Sequence, residues 1–256
     1  MAKTNNQQGT RRILVTNDDG IMAKGLSILT RIAKGFGEVT VVAPELEQSA
    51  KSHSITVRTP VQVKELEGDY HGVPAFTVQG SPADCVKAAL EHLELQPDFV
   101  FSGINNGPNL GYDILYSGTV GAASEAIAAG VPAVAISCQR RDFSLPEKEL
   151  ENVLDFLFEK ELWRDDAVIN VNFPINGAGK SKGIRFTRQG KLIEARDFIY
   201  EDGVVWKRGP GIPNGPDTDV AAAMEGYISI TPLSIDWTSG DLLAEWQRRI
   251  DSDPSA

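Results

Sequence analysis

Basic residues are scarce in this chain: 25 lysines and arginines stand against 35 aspartates and glutamates, a formal net charge of -10. That balance excludes the broad cationic footprint with which proteins hold nucleic acid polymers or anionic membranes. It leaves room for a small phosphorylated molecule, because a local metal ion or helix terminus can override the global sign. Cysteine is nearly absent. Cys85 and Cys138 lie in apolar contexts without a CxxC or a Cys/His cluster, so two reduced, buried thiols are expected. His53, His71 and His92 show no metal-ligand spacing. No apolar run approaches the ~20 residues of a membrane span. Residues 1–10 are polar and lack the apolar stretch of a secretory signal, which makes the cytoplasm the expected location. No GxGxxG follows the first strand, and there is no GxSxG elbow. Gly179-Lys180-Ser181 has the ending of a phosphate loop but not its upstream glycine.

What is present reads as an ordinary globular protein, with 41% hydrophobic and 23% charged residues among 256. Residues 13–20, ILVTNDDG, are a buried strand running into two aspartates and a glycine. Residues 25–34 carry apolar side chains at helical spacing, and 39–43 form a second apolar strand. This is a β-loop-α-β unit, the seed of a parallel sheet. Residues 54–80 alternate as short antiparallel strands would. Ser81, Pro82 and Asp84 then make a strong helix start. A strand at 98–102, a glycine-rich segment, an alanine-rich helix at 120–129 and a strand at 131–137 follow. A helix at 146–161 and a strand at 167–172 complete the run.

Beyond about residue 180 the texture changes to glycine, proline and hairpin-like arms, with a short helix at 218–225. A last strand at 227–232 contains Pro232, which suggests a sheet edge. The expected architecture is α/β: a three-layer, Rossmann-like, doubly wound core over residues 11–180. Residues 1–10 precede it as a disordered segment. A smaller β-hairpin-rich extension and tail, residues 181–256, follow it.

Three stretches can carry chemistry. Asp18 and Asp19 are adjacent carboxylates at the end of a buried strand, where open α/β sheets bind ligands. Such a pair attracts a hard cation; the alternative is a helix N-cap, for which Asp is also favoured. Ser102 to Gly111, SGINNGPNLG, brings Asn105, Asn106 and Asn109 to another strand end, with glycines that let backbone approach a ligand. Ser117-Gly118-Thr119 opens the helix that follows. Its free N–H groups, two hydroxyls and positive dipole end suit an anion, although an ordinary cap would look the same. A cation beside an anion hole suits phosphate-ester hydrolysis.

With these residues in view, the chain resembles the SurE (survival protein E) family of nucleotidases. The resemblance rests on RRILVTNDDG, VVAPELEQSAKSHSIT, GSPADCV, DFVFSGINNGPNLGYDILYSGTVGAASEA and TDVAAAMEGYISITPL, which span most of residues 11–238. It implies divalent-metal ligands at Asp18, Asp19, Ser49 and Asn105, and phosphate contacts at Asn109, Ser117, Gly118 and Thr119. One departure is Ala50, where family members commonly carry glycine. The resemblance further implies hydrolysis of nucleoside 5′- and 3′-monophosphates with Mn²⁺ or Mg²⁺, and a homodimer or homotetramer that swaps C-terminal arms. Short polyphosphate is a possible side substrate. No activated Ser or Cys nucleophile is evident, so attack by water is expected, with Asp18 or Asp19 as the catalytic base.

Overall fold

Strand β1 (Arg12–Thr16) is buried from Ile13 onward on both of its faces, as a central strand of a parallel sheet must be. Ile13 and Val15 face one apolar layer while Leu14 faces the other, the period-two alternation of a strand. The computed structural model describes residues 10–177, 179–191, 196–200, 204–208 and 215–252. Parallel partners flank β1: β2 (Glu38–Pro44) on one side and β5 (Phe99–Asn105) on the other. Beyond β2 lie β4 (Ala75–Val78) and then β3 (Val63–Glu65). Beyond β5 come β6 (Ala133–Ser137), β7 (Ala167–Asn172), β11 (Ile228–Ser234) and β8 (Ile184–Phe186). The resulting nine-stranded order is β3-β4-β2-β1-β5-β6-β7-β11-β8. A separate antiparallel pair joins β9 (Arg196–Tyr200) to β10 (Val204–Arg208).

Helices cover both faces. Leu26 and Leu29 of α1 (Lys24–Ala33) and Leu150, Val153 and Leu154 of α4 (Ser144–Glu159) close one layer. The other layer takes Cys85 and Val86 of α2 (Pro82–Lys87) and the small residues Ala122, Ala123 and Ala126 of α3 (Gly118–Ala128). Alanine on α3 lets that helix lie close against the sheet. Two further helices, α5 (Asp219–Glu225) and α6 (Gly240–Asp251), follow in the C-terminal part. The α/β, doubly wound core is therefore as expected. Its first crossover leads from β1 to β2, and the chain then returns to the opposite side of β1 at β5. The gap between the carboxyl ends of β1 and β5 is thus a topological switch point, the place where such sheets bind ligands.

Local departures have physical causes. Only 63–65 and 75–78 of the expected 54–80 strands are β-structure, and β4 spends its other edge pairing parallel with β2. Residues 54–56 instead pack onto the start of α2, where Asp84 accepts from Thr56 N (2.8 Å) and Thr56 Oγ1 (2.7 Å). The Ser81 start is a full capping box with Pro82 at the first turn. The last strand is not an edge along its whole length. Strand β8 covers β11 only from Ile228 to Ile230, and Pro232 lies beyond that cover, pairing with Ile169 of β7 alone. Proline's missing donor is harmless there. Both cysteines are free and buried.

Candidate active site

The chain after β1 turns sharply, and Gly20 at φ +94° makes the turn. A side chain at Gly20 would press on the backbone of Leu46 and Glu47 at 3.2–3.3 Å, so the loop after β2 can close over the end of β1. Gln48 N donates to Asp18 O at 2.7 Å and secures that closure. Asp18 is buried and Asp19 half-buried.

Each carboxylate is anchored by a donor from a different loop. Thr119 Oγ1 donates to Asp18 Oδ1 at 2.5 Å, across 101 residues of sequence. Asn106 N donates to Asp19 Oδ2 at 3.0 Å. The switch point therefore gathers β1, β5 and the start of α3 around two acids. Burial pushes the Asp18 carboxyl up to about 6; the Thr119 hydroxyl works against this, and the neighbouring Asp19 adds to it. Asp19 is raised as well, by burial first, with the Asn106 N–H and Arg140 pulling it back and Glu47 pushing it up. Two acids held together at this desolvated strand end are a site in want of positive charge.

The remaining expected ligands supply neutral oxygens. Asn105 Nδ2 donates to Gly107 O at 2.8 Å, which commits the donor end of that amide to its loop and leaves its carbonyl oxygen as the group a cation could use. Ser49 Oγ donates its proton to Glu47 Oε1 at 2.6 Å and keeps its lone pairs free. Glu47 itself acts electrostatically on Asp19, which brings the Ser49 loop beside the acid pair. Ala50 adopts φ 58°, the left-handed region that glycine takes without cost, so the alanine is accommodated under strain. No group of three or more His, Cys, Asp or Glu side chains that could hold a metal occurs among the described residues. Two carboxylates, a hydroxyl and an amide carbonyl are instead an all-oxygen donor set, which fits a hard divalent cation.

The expected anion side lies at the N-terminus of α3. Ser117 caps it, its Oγ accepting from Val120 N at 3.1 Å, and so keeps its own proton to donate. Gly118 is required for closeness: a Cβ there would lie 2.9 Å from Asp18 Cβ and 3.0 Å from Pro82 Cγ. The acid pair and the helix mouth are thus in direct contact. Thr119 is fully buried with its hydroxyl on Asp18, so it holds an acid rather than standing open to a ligand. Asn109 is also buried, 7% exposed, with its backbone N–H and C=O and one amide hydrogen all bonded within the fold.

Asn170 and Asn172 belong to no recognised motif, yet both donate to Asn109 O at 3.0 Å. Their signal was available: two asparagines two residues apart in the apolar strand AVINVN put amides on one face of a buried strand. Ser181 is bound to Glu149, and His53 pairs with Glu125 at 2.7 Å near the surface.

Fold and site together define a class, a doubly wound α/β protein whose acidic crevice and helix mouth meet at the switch point. Residues 13–195 match the family model described as Survival protein SurE. The chain is 42% identical over 252 residues to the 5′-nucleotidase SurE of Gemmatimonas aurantiaca, covering 92% of this chain and 98% of that protein. It is 41% identical to the 5′-nucleotidase SurE of Desulforudis audaxviator, covering 92% and 97%. Among solved structures, the SurE protein of Aquifex aeolicus superposes with a TM-score of 0.78 at 33% identity, covering 94% of this chain and all of that one. The chain belongs to the SurE family.

Proposed function

We propose that this protein is a 5′-nucleotidase, a phosphomonoesterase that releases phosphate from nucleoside 5′-monophosphates and also accepts 3′-monophosphates. The observation that carries the reading is the contact between the buried Asp18–Asp19 pair and the N-terminus of α3 through Gly118 and Thr119. Relatives at about this level of identity bear the name 5′-nucleotidase SurE. In this reading Asp18, Asp19, Ser49 and Asn105 hold one divalent cation, Mn²⁺ or Mg²⁺, through oxygen alone. When bound, the ion polarises a phosphoryl oxygen and lowers the pKa of water.

The chain's own groups do the rest. Ser117 donates its hydroxyl proton, and the Gly118 N–H with the helix dipole faces the phosphoryl oxygens on which charge builds. Asn109 offers the one amide hydrogen that has no partner among the described residues. Thr119 keeps Asp18 oriented. Asp18 or Asp19 takes the proton of the attacking water, and a carboxyl at about 6 suits that task near neutral pH. A single-turnover reaction in H₂¹⁸O, quenched in acid, tests the route: attack by water predicts label in the phosphate, none in an aspartate side chain and no phosphorylated protein trapped. Label in an aspartate overturns it in favour of a covalent acyl-phosphate.

The same reading includes a homodimer or homotetramer with exchanged C-terminal arms. Helix α6 buries none of its residues in this chain, and Leu243, Trp246 and Ile250 stand more than half exposed. Two free, buried cysteines suit a reducing compartment such as the cytoplasm. The activity is tested by phosphate release from a panel of 5′- and 3′-nucleotides and short polyphosphate, with and without EDTA. Metal-dependent turnover of monophosphates is expected. A protein that binds nucleotides but turns over none of the panel with Mn²⁺ present is a binding module instead. Light scattering of the purified chain reports the oligomer: a mass of one chain overturns the arm exchange.

A further inference from the structure

A patch of polar side chains sits where an α/β core is normally apolar. Asn170, Asn172 and Ser137 are fully buried, on adjacent strands in register, with Ser137 opposite Asn172. They converge on one loop residue. Asn172 Oδ1 accepts from Asn109 N at 2.8 Å, and Asn172 Nδ2 donates to Asn109 O at 3.0 Å. Asn170 Nδ2 donates to the same carbonyl at 3.0 Å. Ser137 Oγ accepts from Asn109 Nδ2 at 2.8 Å. One residue of a surface-edge loop is thus gripped at its N–H, its C=O and its side chain by two strands.

Stability explains only part of this arrangement. The asparagines satisfy the buried N–H and C=O of Asn109, yet among the described residues Asn170 Oδ1 is left buried without a hydrogen-bond partner, as is Ser229 Oγ on β11, which lies opposite Asn172. Orphaned buried oxygens cost free energy, so the grip on Asn109 is kept against that cost. The neighbouring Ile169 and Val171 show that this strand also takes apolar side chains. A carbonyl that receives two amide donors is held in one orientation, since rotation of the loop would lose both bonds at once.

We propose that Asn172, Asn170 and Ser137 are positioning residues for phosphate recognition, fixing Asn109 so that its one free amide hydrogen points at the phosphoryl group. The inference rests on the nucleotidase reading above and adds to it a support on β6 and β7. Neither strand was among the site elements expected from sequence. The clamp's side-chain hydrogen bonds all end on Asn109, on the anion side of the site; Ser137 also lies opposite Asn105 in the sheet, so Asn172→Leu is the variant that separates the two sides.

The test is a double-mutant cycle on the whole protein, read by inhibition with inorganic phosphate and by calorimetric titration of Mn²⁺ without substrate. Asn172→Leu keeps the side-chain size and removes both bonds; Ser137→Ala removes a single oxygen and serves if the leucine variant does not fold. Asn172→Leu is expected to weaken phosphate inhibition about tenfold and Ser137→Ala about threefold. The change should appear in KM more than in kcat, with Mn²⁺ affinity unchanged. In an Asn109→Ala background neither substitution should weaken phosphate further, because the group they orient is gone. Unchanged phosphate inhibition, equal weakening of Mn²⁺, or losses that add in the double variants overturn the positioning role. If Asn109→Ala alone leaves phosphate inhibition as in the wild type, it is the contact assigned to Asn109 that fails, and the clamp fails with it.

Discussion

Replacing Asp18 by asparagine is expected to stabilise the metal-free fold at neutral pH while removing its response to metal. The folded Asp18 carboxyl has a pKa of about 6 against the ordinary 3.8, and burial is the main cause. Ionising it inside the fold therefore costs about 3 kcal/mol relative to the unfolded chain. Because the pKa is raised, the native state keeps this proton over a pH range in which the unfolded chain has lost it. Stability from this group is unaffected below 3.8 and falls as pH climbs from there to about 6. Above that window the full cost is present. Asparagine carries no charge and still offers Thr119 Oγ1 an acceptor, but its NH₂ group lacks a built partner. The net gain at about pH 7.5 is therefore about 1–3 kcal/mol, a rise of about 3–10 °C in Tm for a chain of this size. The gain should shrink toward zero near pH 4. Thermal melts of EDTA-treated wild type and Asp18→Asn across this range, repeated with millimolar Mn²⁺, make the comparison. Wild type should gain stability from Mn²⁺ and the variant should not. A variant less stable than wild type at neutral pH without metal, or a difference that does not change with pH, refutes the reasoning.

Three other substitutions probe separate parts of the site. Gly118→Ala places a methyl group 2.9 Å from Asp18 Cβ, so either α3 or the β1 loop must move. Turnover should fall at least about a hundredfold with little loss of secondary structure by circular dichroism. Thr119→Val removes the hydroxyl that holds Asp18; Mn²⁺ affinity measured by calorimetry should drop about 10–100-fold. Ala50→Gly relieves a left-handed residue at φ 58° and should raise Tm by about 1–3 °C without changing kcat. A lowered Tm would show that the Ser49 loop is not strained.

Much of this architecture was legible from strand and helix patterning. Buried runs such as ILVT and VFSGI, set between helices with apolar stripes, can only be satisfied by a sheet covered on both faces. The acid pair could be placed at a strand end because Gly20 follows it. What it contacts could not be read, since Thr119 lies 101 residues away and meets Asp18 only through the β1–β5 adjacency. Ser49 carries no local signal at all, being an exposed serine in a polar loop. Only the family resemblance points to it, and its loop reaches the end of β1 because Gly20 leaves room for the backbone of Leu46 and Glu47. Pro232 was informative but over-read: it marks where the cover of β8 ends, not the position of the strand in the sheet. The amides of β7 were missed because strand patterning sorts residues into apolar and polar, and Asn170 and Asn172 count there as blemishes in a buried strand rather than as a face.

The central claim is that the Asp18–Asp19 pair holds a divalent cation on which phosphate release depends. The most direct measurement titrates Mn²⁺ into EDTA-treated protein and follows binding heat and phosphate release from a nucleoside 5′-monophosphate in parallel, for wild type and Asp19→Asn. Wild type should bind one ion per chain and recover turnover in proportion to occupancy, while Asp19→Asn recovers neither. Turnover without bound metal, or full recovery in Asp19→Asn, would contradict the account.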